Sequence, residues 1–111
     1  VSWQRVKEPT CLRGLHFTYR VTGPMCRACF LAALDERWPQ LVKGRDQLGV
    51  ATIDHRTLPF AFALRTGLSG DDVELIYRVS ASPPVRDAVD QGIEAALEVA
   101  LGSPHTCSEH P

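Results

Sequence analysis

Val73-Glu74-Leu75-Ile76-Tyr77-Arg78-Val79, followed after a Ser- and Pro-containing link by Val85, Val89, Ile93, Ala96, Leu97 and Ala100, decides the fold of this chain. In the first stretch Val73, Leu75, Tyr77 and Val79 alternate with Glu74, Ile76 and Arg78, the period of two that turns one face of a strand into a core. The second set recurs at spacings of three and four, the stripe of a helix lying along a sheet. Ser82 is placed to cap that helix and a proline stands in its first turn. Gly102 and Pro104 end it.

The same period of two runs through residues 15–21, where Leu15, Phe17, Tyr19 and Val21 alternate with His16, Thr18 and Arg20. A first helix is expected from Pro24 to about Trp38, with Phe30, Leu31, Leu34 and Trp38 inward and Asp35, Glu36 and Arg37 outward. Pro39 ends it. Residues 48–53 read as a second strand after a loop of Lys43-Gly44-Arg45-Asp46. Residues 59–65 read as a third, with Phe60, Phe62 and Leu64 on one face and Ala61 and Ala63 on the other. The turn-rich residues 66–72 join antiparallel neighbours.

The resulting order is β-α-β-β-β-α, an α+β two-layer sandwich with a mostly antiparallel sheet and two helices on one face. Residues 1–13 read as an N-terminal arm with a short edge strand around residues 1–6. Residues 14–103 form a single α+β domain, and residues 104–111 a C-terminal tail. The uncovered sheet face, carrying His16, Thr18, Arg20, Glu74 and Arg78 beside Ala61 and Ala63, is expected to be wet or to meet a partner.

At 111 residues, 44% hydrophobic and 23% charged, the chain has material for one core. A net charge of −1 with no basic run gives no nucleic-acid footprint. No apolar run approaches the ~20 residues of a membrane span, so this segment is not expected to insert into a bilayer. No asparagine is present, which excludes N-linked glycosylation here. No nucleophile elbow, phosphate-binding glycine loop or paired carboxylates are visible.

The chemistry-bearing stretch is Thr22-Gly23-Pro24-Met25-Cys26-Arg27-Ala28-Cys29. With Gly23 capping and Pro24 opening the helix, Cys26 falls in the first turn, where free N–H groups, the helix dipole and Arg27 favour a thiolate. Cys29 follows one turn later on the same face. The pair can act as a redox dithiol, as two soft ligands for copper or zinc, or as a structural element bridged to Cys11 or Cys107. A Cys11–Cys107 bridge would staple the two ends of the fold, worth ~4 kcal/mol in the chain-entropy model. Four cysteines allow three pairings, and all three stay open.

Residues 23–29 resemble the metal loop of heavy-metal-associated copper-carrier domains, in which a glycine and a CxxC join the first strand to the first helix. That resemblance implies Cu(I) transfer through Cys26 and Cys29. It departs at Pro24, where the family has methionine, and in an element order that ends here in a helix. The CxxC, with Thr57-Leu58-Pro59 leading into a strand, is also similar to the thioredoxin-like fold, which implies disulfide exchange at Cys26. Here Cys26 lacks the usual aromatic neighbour, and no helix fits between Asp54 and Pro59. Ferredoxin-like and truncated thioredoxin-like sandwiches share the overall layering. The element order further resembles small ectodomain sandwiches of the SEA type, without their self-cleaving glycine-serine signature.

Other constellations are plainer. His105, Cys107 and His110 put three potential metal ligands in the tail. Asp54-His55 could form an acid-base pair. Trp38 is expected to close the core, while Trp3 lies in the arm. The composite expectation is a non-enzymatic protein-interaction or structural module, disulfide-stabilised and part of a larger extracellular or membrane-attached protein, its ends at Val1 and Pro111 fitting an excised domain. It needs no cofactor and binds another protein through the open sheet face. The alternative is a thiol protein using Cys26 and Cys29 in redox exchange or in carrying copper or zinc, for which a cytoplasmic location is also open.

Overall fold

Strand alternation and helical stripes assemble into one sheet with two helices on it. The computed structural model describes residues 2–8, 15–22, 25–57, 61–67, 70–78 and 81–102. Its elements are β1 (Ser2–Lys7), β2 (His16–Thr22), α1 (Arg27–Arg37), β3 (Val42–Arg45), β4 (Ala51–His55), β5 (Phe62–Thr66), β6 (Val73–Tyr77) and α2 (Pro83–Gly102). The six strands lie in the order β1-β2-β6-β5-β4-β3, and every neighbouring pair is antiparallel. β1 and β2 form one edge. α1 carries the chain across to the far edge, and β3 to β6 return as a meander whose last strand docks on β2.

The α+β sandwich expected from the sequence is present, with two strands more than the expected order. β1 pairs with β2 along its length, from Ser2 opposite Thr22 to Lys7 opposite Phe17, as the edge strand foreseen in the arm. β3 occupies the stretch expected to be a loop. Lys43, Gly44 and Arg45 carry no apolar alternation because both faces of this edge strand are exposed.

β4 begins at Ala51, later than expected, because Leu48 and Gly49 belong to a three-residue hairpin turn in which Gly49 takes a φ of 80°. Asp46 builds that turn. Its Oδ1 accepts the N–H groups of Leu48 and Val50, both at 2.9 Å. Leu48, expected in a strand, is instead the most exposed large apolar side chain among the described residues, at 79%.

Between sheet and helices lies a core to which each buried large apolar side chain contributes ~1.5–3 kcal/mol. Phe17, Tyr19, Phe62, Leu64, Leu75 and Tyr77 enter it from the sheet. Phe30, Leu34 and Trp38 enter from α1, and Val89, Ile93 and Leu97 from α2. The inward stripes of both helices match expectation, with Leu31 and Val85 only half-buried. Trp38 closes the core, edge-on to Phe62 at 5.1 Å between ring centroids. Gly23, Pro24, Pro59, Phe60, Ser80, Pro104 and the tail from Ser103 on lie outside the described residues.

Candidate functional site

α1 starts at Arg27, not at Pro24, and Cys26 is its N-cap. The side chain does the work that Ser or Asp usually does there: Cys26 Sγ accepts the otherwise unpaired Cys29 N–H at 3.3 Å. The Cys26 carbonyl accepts the Phe30 N–H at 3.0 Å, closing the first turn. In the other direction the Cys26 N–H donates to Ala100 O at 3.3 Å, using a carbonyl at the C-terminal end of α2. The CxxC therefore ties the start of one helix to the end of the other. Cys26 is 8% exposed, and Cys29 is half-buried.

The activating charge expected beside Cys26 is engaged elsewhere. Arg27 Nε donates to Asp71 Oδ1 at 3.1 Å and its Nη2 to Gly70 O at 2.8 Å, so this side chain holds the β5–β6 turn. Cys11 and Cys107, the other disulfide candidates, lie outside the described residues, as do His105 and His110. Among the described residues no group of three or more His, Cys, Asp or Glu side chains is gathered as a metal centre.

Asp54 and His55 are no pair. As successive strand residues they face opposite sides of the sheet. Asp54 lies on the open face, with Arg56 Nη2 at 3.5 Å. His55 is 3% exposed on the helix side, against Trp38 and Phe62. Burial holds its pKa below the ordinary imidazole value, partly opposed by a hydrogen bond with the Thr57 backbone.

Two clusters escaped the sequence reading. The first crosses the open face. Arg65 sends Nη2 to Asp46 Oδ2 at 2.8 Å and Nη1 to Glu74 Oε2 at 3.5 Å, and Glu74 Oε1 meets His16 Nε2 at 2.8 Å. Register explains it, since Thr18, Glu74, Arg65, Thr52 and Gly44 stand directly opposite one another across five strands. At Asp46, burial acts to raise the pKa, but the Val50 and Leu48 N–H groups and Arg65 outweigh it and hold the carboxylate below its usual range.

The second cluster joins β1 and β2 to α2. Tyr19 is fully buried, and its hydroxyl donates to Asp90 Oδ1 at 2.7 Å with Glu94 Oε2 at 3.2 Å. Arg5 grips the same Asp90 through two nitrogens and lies over the Phe17 ring, 3.8 Å from its centroid. Asp90 and Glu94, four residues apart beside the apolar stripe of α2, were the sequence signal for this cluster.

The open face also has a shape. Beside β3 it dips into a shallow groove of about 440 Å³ bounded by Val42, Gly44, Thr52, Asp54, Ala63 and Ile76. Compared with known proteins, the chain matches no family model, no curated protein and no solved structure.

Proposed function

We propose that this chain is a non-enzymatic protein-binding module, stabilised by disulfides and belonging to an extracellular or lumenal protein. The observation that carries this reading is the position of Cys26. A redox dithiol or a carrier of copper or zinc needs a sulfur that reaches solvent and a partner molecule. Cys26 is 8% exposed, caps α1 through its sulfur and is tied to α2 through its N–H. The bridges this reading assigns to the cysteines are those of an oxidising compartment.

The binding function rests on the sheet. Its helix-covered face is a filled core, while the other presents a charged network and a groove to which no described element contributes a cover. Fixed cross-strand ion pairs fit such a face for recognition, because the side chains are ordered before a partner arrives.

The test is to assay the purified chain for insulin-disulfide reduction and for Cu(I) and Zn(II) uptake by equilibrium dialysis, alongside thermal melts with and without reductant. No turnover, no stoichiometric metal and a melting temperature lowered by reductant are expected. Catalytic turnover or one tightly bound ion per chain would replace this reading with the thiol-protein alternative.

A further inference from the structure

We propose that the outer edge of β3 is a docking strand for an extended peptide of a partner protein, one in which acidic and apolar residues alternate. This rests on the protein-binding reading above and names the partner's chemistry. β3 ends the sheet and is exposed at each of its positions. Among the described residues no strand pairs with its outer side.

Ladder geometry identifies the groups it offers. The Asp46 N–H donates to Val50 O at 3.0 Å, so these two residues form a hydrogen-bonded pair. Bonded and non-bonded pairs alternate along an antiparallel ladder. Gly44 opposite Thr52 and Val42 opposite Asp54 are then the bonded pairs. Lys43 and Arg45, opposite Ile53 and Ala51, turn their N–H and C=O groups outward.

The side chains set the partner's pattern. Lys43 and Arg45 share the face of buried Ile53, on the helix side. Lys43 reaches Asp35 of α1 in an exposed ion pair. Arg45 donates to Gly49 O at 2.8 Å and makes no ion pair with any described residue. Residues of an added strand that lie beside these two cations are favoured as Asp or Glu. The alternating residues fall on the open face beside Val42, which is 44% exposed, and Gly44, at the rim of a groove whose floor mixes Ala63 and Ile76 with Thr52, Asp54 and Arg65. Beside Val42 and the bare Gly44, the strand's nearest neighbours on that face, an apolar side chain is favoured. A second copy of β3 is a poor occupant, because antiparallel pairing about Gly44 would set Lys43 against Arg45.

The experiment titrates an alternating Glu-Val octapeptide and an alternating Lys-Val octapeptide into the isotope-labelled full chain, following backbone amides by NMR. The acidic peptide should shift the Lys43 and Arg45 amides saturably, and the basic one should not. Arg45→Glu should weaken the acidic peptide about tenfold, the scale of losing one cross-strand attraction and gaining one repulsion. Lys43→Pro removes an outward N–H without touching the β3–β4 ladder. It should abolish binding that Lys43→Ala only weakens, with both variants keeping native spectra.

No saturable shift, equal response to both peptides, or equal binding by Lys43→Pro and Lys43→Ala would overturn the proposal. The basic edge would then be a guard against strand pairing. No cysteine enters this titration, so its failure leaves the disulfide-stabilised reading intact. Conversely, thiol activity in the assays above would sink that reading without altering the peptide result.

Discussion

The Trp38 indole lies against the bare backbone of Gly92. A Cβ added at Gly92 would come within 2.4 Å of the ring and 2.6 Å of Arg37 Cδ. This is where the end of α1 crosses the middle of α2, and the missing side chain lets the ring seat. Alanine would gain ~1 kcal/mol of helix propensity but force the indole off its seat, an overpacking cost of ~1–3 kcal/mol. Gly92→Ala should therefore lower stability in urea unfolding despite its better propensity. A stabilised variant would show that the ring moves aside at little cost.

Tyr19 and Tyr77 should govern stability at high pH. Burial, followed by the nearby Asp90 carboxylate, raises both phenol pKa values above the ordinary value of about 10. The native state keeps these protons where the unfolded chain releases them, so stability is full below pH ~10 and falls as pH rises beyond it. Each phenol contributes a slope of about 1.4 kcal/mol per pH unit. Urea unfolding between pH 9 and pH 11 should show about two protons' worth of slope. Tyr19→Phe should remove one of them and cost ~1–2 kcal/mol at neutral pH through the lost bond to Asp90.

His55 works in the opposite direction on the acid side. Burial lowers its pKa, so the unfolded chain takes up a proton that the native state resists. Stability should fall as pH drops through ~6.5, the unfolded imidazole value. His55→Phe, which keeps a ring against Trp38 and Phe62, should flatten the stability profile between pH 6.5 and pH 5. An unchanged profile would place the titrating group elsewhere.

The β3–β4 hairpin should hold its shape through Asp46 and tolerate change at its tip. Leu48→Ser alters an exposed side chain and should move stability by no more than ~0.5 kcal/mol. Asp46→Ala removes the acceptor of the Leu48 and Val50 amides and one of the two carboxylate partners of Arg65. Hydrogen exchange at those two amides should accelerate in Asp46→Ala and stay slow in Leu48→Ser.

Where side chains alternate or recur because one face is buried, the sequence made the fold legible. Tyr19, Leu75 and Ile93 announced their elements in this way. β3 was missed because Val42-Lys43-Gly44-Arg45 buries neither face and so carries no period. The start of α1 was placed too early because Pro24 is a usual helix opener, whereas a cysteine N-cap is outside the ordinary set. The site was less legible for the same reason. Cys26 and Cys29 could be marked, but not the burial of Cys26 or its contact with Ala100. The Asp46–Arg65–Glu74–His16 network depends on register across several strands, and the spacing of those residues in the chain carries no trace of it.

The most direct measurement is alkylation of the native, unreduced protein near neutral pH, followed by peptide mapping of bridged and labelled cysteines. The structural role assigned to Cys26 predicts that all four cysteines stay unlabelled, are recovered in disulfide-linked peptides and remain unlabelled after treatment with mild reductant. Rapid labelling of Cys26, with Cys29 also free, would contradict it and make the pair a working dithiol.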